Sequence, residues 1–268
     1  MGALHLGNAN DRPYPHTPPR GSLVLAAGLK PIRYTLETVD GKHIYTIDDG
    51  EPVVLESVTT NLRIINKPGL NAWREKLGKE EATRLKEEGG DIGTMVHKAG
   101  LRLFRGEGFG QFEWSQLGCP TTEDERVRNA VAALDLLRRE RGLVPAGAEC
   151  FVWSREYGFA GTCDLAAWVD DDHSAVDLYD WKTSGALYPE VWLQLAAYAI
   201  AFQETYEVDV RRIYPVRLDR GQPSFTGPRR VHYEAYEFME GEDVDVAFDT
   251  YMHAQELGRW IREHGGRY

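Results

Sequence analysis

The chain has 268 residues, 42% of them hydrophobic, and its 31 Lys and Arg against 42 Asp and Glu give a formal net charge of −11. That length is enough for a sizeable core, and we expect a mobile tail over residues 1–20 followed by a single domain over 21–268. The acidic balance argues against a protein that coats a polyanion with its whole surface, which leaves room for a local basic groove; no stretch approaches the roughly 18 apolar residues of a membrane span.

From the N-terminus, the first 20 residues are rich in Pro, Gly, His and Asn and lack the apolar segment of a secretory signal. Ile32–Thr38 and His43–Ile47 are β-branched and aromatic runs around Asp40-Gly41-Lys42, which predicts a hairpin. Ser57 and Pro68 each introduce a helical stretch, the second charged and amphipathic and expected to end at Gly89-Gly90. A further helix is predicted from Gly93-Thr94, with Val96, Ala99, Gly100 and Leu103 as its buried stripe and His97 in its first turns. A Gly-rich polar region spans Gly106–Thr122, and a helix is predicted over Glu123–Arg141. Three strands are then expected, Ala148–Arg155, Phe159–Val169 and Ala175–Thr183, followed by a helix from Pro189 to about Glu204 and a strand over Val208–Leu218. After a loop, Val231–Phe238 and a helix over about Asp243–Glu263 complete the chain. The fold class implied is α/β, with a central mixed sheet, an N-terminal hairpin and a C-terminal helical addition.

Cys119, Cys150 and Cys163 are an odd set without CxxC spacing, so neither a disulfide framework nor a zinc or iron–sulfur site is expected, and a reducing cytoplasm fits best. The chemistry concentrates in Gly158–Ser184. Asp180 and Lys182 are two apart in a strand, so both project from one face while Trp181 projects from the other. An antiparallel pairing centred on Asp172 would place Asp164 opposite Asp180. Two carboxylates beside one ammonium suit phosphodiester hydrolysis: hard cations such as Mg²⁺ take oxygen ligands, and the lysine can orient water or stabilise developing charge.

These residues resemble the PD-(D/E)XK nuclease superfamily in its RecB-type exonuclease branch, known from bacterial and phage proteins. The likeness covers roughly Gly93–Leu218, with a weaker likeness upstream in SVTTNLRIINKPGLNAW. Its helical histidine motif is matched by GTMVH ending at His97, its G-x-x-D by Gly161–Asp164, its D-x-K by Asp180–Lys182 and its Q-x-x-x-Y by Gln194–Tyr198. The resemblance implies a restriction-endonuclease-like core and Mg²⁺ or Mn²⁺ held by His97, Asp164, Asp180 and the backbone carbonyl of Trp181, with Glu149 as an accessory acid. Asp164, Asp180, Lys182, Gln194 and Tyr198 would form the catalytic set, acting on linear ends or single strands of DNA in repair, recombination or phage DNA processing, alongside a recombination or replication partner protein. Cys163 stands where the superfamily name implies Pro, and no GxxxxGK[ST] motor motif is present.

The rivals are an endonuclease or structure-specific nuclease with the same site, a non-catalytic nucleic-acid-binding or assembly protein, and a two-carboxylate glycosidase, which leaves Lys182 unexplained. Arg155, Arg211, Arg212 and Arg217 are candidate phosphate contacts. Trp73, Trp153 and Trp192 could stack on bases, with core packing the expected role for each. Nothing in the pattern demands an oligomer.

Overall fold

A computed structural model describes residues 24–25, 29–107, 124–169, 173–221, 233–235 and 238–265. The expected tail, Cys119, nearly all of the Gly-rich polar region and the middle of the turn after Val169 lie outside the described residues.

The hairpin forms where the turn chemistry places it. Strands β2 (Tyr34–Val39) and β3 (Lys42–Asp49) pair antiparallel with Val39 opposite Lys42. Asp40 and Gly41 both have positive φ, 50° and 72°, the geometry of a two-residue primed turn. The chain then adds β4 (Glu51–Ser57), antiparallel to β3, a strand the sequence reading does not anticipate. Pro52 reads against a strand, yet near the strand's start it removes little from the ladder. Ser57 caps the short helix α1 (Val58–Asn61) by accepting the Thr60 N–H.

Two helices follow, α2 (Pro68–Leu77) and α3 (Lys79–Phe104), divided at Gly78 with φ 82°. Gly89-Gly90 does not end α3, which runs through the pair for 26 residues. Glycine in a helix interior costs about 1 kcal/mol, and the downstream turns more than offset it by burying Ile92, Met95, Val96, Ala99, Leu103 and Phe104. Helix α4 (Glu125–Glu140) packs beside α3, capped by Asp124.

The expected order of three strands, helix and strand is present as β5 (Pro145–Ser154), β6 (Phe159–Trp168), β7 (Ala175–Lys182), α5 (Glu190–Tyr206) and β8 (Asp209–Leu218). Strands β5, β6 and β7 are successively antiparallel, and β7 and β8 are parallel across α5. The β4 strand joins β6 in parallel, so the N-terminal hairpin belongs to the same mixed sheet. Short strands β1 (Val24–Leu25), on β5, and β9 (Tyr233–Ala235) and β10 (Met239–Glu240), both on β8, extend it, and helix α6 (Glu242–His264) ends the described chain.

Helices flank both faces. One core joins α3 and α4 to Leu165, Tyr179, Trp181, Val216 and Leu218; the other joins α5 and α6 to Cys150, Cys163, Val176, Leu178 and Ile213. The protein is thus α/β with a central mixed sheet between helices, consistent with a restriction-endonuclease-like core. Among the described residues no helix is long and apolar enough to cross a membrane.

Candidate metal centre

The β6–β7 ladder pairs Leu165 with Tyr179 and Trp168 with Val176, a register centred on position 172. Asp164 and Asp180 are therefore the next facing positions, and there the two strands part. In place of a ladder bond, the Trp181 N–H donates to Asp164 Oδ2 at 2.8 Å. The carboxylate fills the gap and satisfies a buried backbone donor that would otherwise be orphaned.

The opposite edge of β6 is irregular at the same level. Strand β5 pairs Ala148 with Leu165 and Cys150 with Cys163, and between these pairs Glu149 has φ 51°. The alternation of faces breaks in both strands: Ala148 and Leu165 pack on the α3 side, Cys150 and Cys163 on the α5 side. A left-handed non-glycine residue costs on the order of 1–3 kcal/mol, and such strain persists where the surroundings over-determine it. The result is that Glu149 and Asp164 converge on His97, which α3 carries over the break. His97 Nδ1 lies 3.1 Å from both Glu149 Oε1 and Asp164 Oδ1. Ligand-type atoms of the three residues all lie within 4.8 Å of one another.

One glycine lets α3 come this close. A Cβ on Gly100 would lie 2.9 Å from Cζ2 of Trp181 and 3.0 Å from Cδ2 of Leu134, so α3 can reach β7 only with hydrogen at this position. Trp181 is fully buried there, stacked on Phe104.

Asp180 points to the other side of β7, toward α5. It is not among the three converging residues: Gln194 Nε2 donates to its Oδ1 at 2.9 Å, and Lys182 Nζ pairs with its Oδ2 at 2.5 Å. Gln194 also donates to the Tyr198 hydroxyl at 3.2 Å. The residues expected from sequence thus form two adjoining groups, with Glu149, expected only as an accessory, in the first and Asp180 anchoring Lys182 in the second. Trp181 takes part through its backbone N–H. The left-handed turn at Glu149 has no signature in its residue type, so its full membership is legible only from structure.

Charge and burial shape the titration of both groups. Burial pulls the His97 imidazole down, but Asp164 and Glu149 outweigh it and hold its pKa well above the usual histidine range. Burial, with Asp164 nearby, raises Glu149 despite His97. Asp180 is pushed up to about 6 by burial, against the pull of Lys182 and with a push from Asp164. Burial lowers the Lys182 ammonium, and Asp180 and Asp164 more than restore it, leaving its pKa raised.

The arginines named as phosphate contacts are engaged elsewhere: Arg155 with Asp49, Arg211 with Asp177, Arg212 with Glu240, and Arg217 with Glu234 and the Gly185 carbonyl. Trp153 and Trp192 pack against the cores. Trp73 does not: it is 36% exposed, on a helix with no buried residue. Compared with models of known protein families and with curated proteins, the chain matches none.

Proposed function

We propose that the chain is a metal-dependent deoxyribonuclease of the PD-(D/E)XK type, acting as an exonuclease on DNA ends. The observation that carries this reading is the convergence of His97, Glu149 and Asp164 within 4.8 Å, next to an ammonium held by Asp180. Two carboxylates and one imidazole form a donor set suited to Mn²⁺ or Mg²⁺. The raised pKa values of His97 and Glu149 support the fit, because the protons favoured there offset the same negative charge a cation would. Bound by these three residues, the cation would neutralise charge on a substrate phosphate and acidify a water.

The chain's own part is positioning and electrostatics. Lys182 stands beside the carboxylates with 28% of its side chain exposed, so its ammonium can meet a phosphate oxygen while Asp180 fixes its direction. Gln194 holds Asp180 from beneath and is itself bonded to the Tyr198 hydroxyl. The strained backbone at Glu149 keeps the acids in place before substrate arrives.

Purified protein incubated with linear DNA and Mg²⁺ or Mn²⁺ should degrade it, and should leave it intact in chelator. Lys182→Ala and Asp164→Asn should each lose activity by roughly a hundred-fold or more. Equal degradation by wild type and both variants would remove the assignment, and cleavage of covalently closed circles would replace exonuclease by endonuclease.

A further inference from the structure

Helix α2 breaks the usual rule for an amphipathic helix, which buries its apolar stripe. Leu70, Trp73 and Leu77 fall on one face at i, i+3 and i+7, yet none of its residues is buried and none belongs to any of the three hydrophobic cores. Trp73 and Leu77 are 36% and 37% exposed.

The helix is nonetheless joined to both helices that carry residues of the two site groups. At its start, Lys67 pairs with Glu190 at 2.5 Å, and Glu190 opens α5 one turn before Gln194, the residue bonded to Asp180. At its end, Gly78 turns the chain into α3, which carries His97. Helix α2 therefore links the two elements that frame the site.

Its charge runs against that of the whole chain. Lys67–Lys79 holds Lys67, Arg74, Lys76 and Lys79 against the single carboxylate of Glu75, in a protein of net charge −11. Lys67 is committed to Glu190, while Arg74, Lys76 and Lys79 have no ion-pair partner among the described residues. An exposed indole flanked by unneutralised cations is the arrangement that binds single-stranded nucleic acid, the ring stacking on a base and the cations contacting phosphates. In a duplex the bases stack on one another and are closed to such a ring.

We propose that α2 grips single-stranded DNA beside the metal centre, with Trp73 as the stacking platform and Arg74, Lys76 and Lys79 on the backbone. The purpose of this grip rests on the nuclease reading, but its test needs no turnover. The intact chain in chelator would be titrated against a fluorescent thymidine oligonucleotide of about 16 nucleotides and a blunt duplex of equal length. Trp73→Ala should weaken single-strand binding about ten-fold, with Trp73→Phe restoring most of it and duplex binding little changed. Replacing Arg74, Lys76 and Lys79 together by Gln should reduce the slope of log affinity against log salt by roughly 2. Because Trp73, Arg74, Lys76 and, at the start of α3, Lys79 are all exposed, these variants should fold, which circular dichroism checks. Single-strand binding indifferent to Trp73→Ala, or an equal loss on duplex, would overturn the proposal. If wild type degrades DNA but binding ignores α2, this inference falls alone; if α2-dependent binding holds and no metal supports hydrolysis, the nuclease reading falls and the grip stands.

Discussion

Gly161 on β6 and Tyr198 on α5 occupy one another's space: a Cβ on Gly161 would lie 2.4 Å from Cε1 of the tyrosine ring and 3.0 Å from its hydroxyl. The glycine of G-x-x-D and the tyrosine of Q-x-x-x-Y are thus two sides of one contact. Through it the sheet sets the height of Tyr198, which meets Gln194, which holds Asp180. Gly161→Ala should destabilise the fold by about 1–3 kcal/mol, since Tyr198 is only 3% exposed and has nowhere to move. Tyr198→Ala should itself cost about 3–5 kcal/mol by leaving a cavity, and the methyl of Gly161→Ala should then fit. A double-mutant cycle measured by denaturant unfolding checks this: the two losses should be clearly less than additive, and additivity would mean the contact carries no strain.

The parts of the fold legible in the sequence are those governed by local rules. Asp40-Gly41 specifies its own turn, the two-residue period of β6 and β7 sets a register centred on position 172, and Pro189 starts α5 where expected. What was not legible depends on tertiary context. Gly89-Gly90 signals a stop by propensity, but the burial that carries α3 onward comes from residues further along, Ile92 and those after it. Two-residue alternation places Asp164 and Asp180 together on one face. In the structure the register holds, yet Asp164 reaches His97 on the α3 side and Asp180 reaches Gln194 on the α5 side, because β6 breaks its alternation at Asp164. Trp73 reads as a core residue by type and stands outside every core, since nothing in its own helix tells which neighbours will arrive to cover it.

The titration of the centre gives metal binding a defined pH dependence. His97 and Glu149 both have folded-state pKa values raised above their ordinary ones, and Asp180 is pushed up to about 6. A raised folded pKa contributes stability that is fully present below the unfolded value and is lost as pH rises through the folded one. The metal-free protein should therefore lose thermal stability as pH rises, first as Asp180 gives up its proton near pH 6 and further as His97 does so above the usual histidine range. A cation competes with the same protons, so saturating Mn²⁺ should raise the melting temperature more at about pH 8 than at about pH 5. Thermal melts with and without Mn²⁺ across that range check the sign, and a larger gain in acid would contradict the proposed ligand set.

Lys182 and Asp180 form a pair whose breaking should depend on pH. Lys182→Met removes the ammonium and leaves Asp180, 1% exposed, with Gln194 as its neutral partner. Losing one member of a buried pair costs about 3–5 kcal/mol when the remaining charge cannot be relieved. Here the partly exposed lysine argues for the lower end, and protonation offers relief, because the Asp180 pKa is already raised by burial and would rise further without its counter-charge. The destabilisation should be small at about pH 5 and larger at about pH 8, as read by calorimetry. No loss at either pH would show that Lys182 acts through its aliphatic stem, which methionine retains, and not through its charge.

Helix α3 contains glycines of two kinds, and one substitution should act on them with opposite sign. Around Gly89 and Gly90 nothing lies within 4 Å of an added Cβ, and neither has positive φ. Gly89→Ala and Gly90→Ala should each stabilise the protein by up to about 1 kcal/mol, through helix propensity and a less free unfolded chain. At Gly100 the added carbon would press on Trp181 and Leu134, both fully buried, so Gly100→Ala should destabilise by about 1–3 kcal/mol. The strain should also reach the metal centre, because His97 lies one turn before Gly100 and meets Asp164 only if α3 sits close on β7. Calorimetric titration with Mn²⁺ should show weaker binding for Gly100→Ala and unchanged binding for Gly89→Ala and Gly90→Ala. Equal affinity in all three would mean that the approach of α3 to the sheet does not set the geometry of the site.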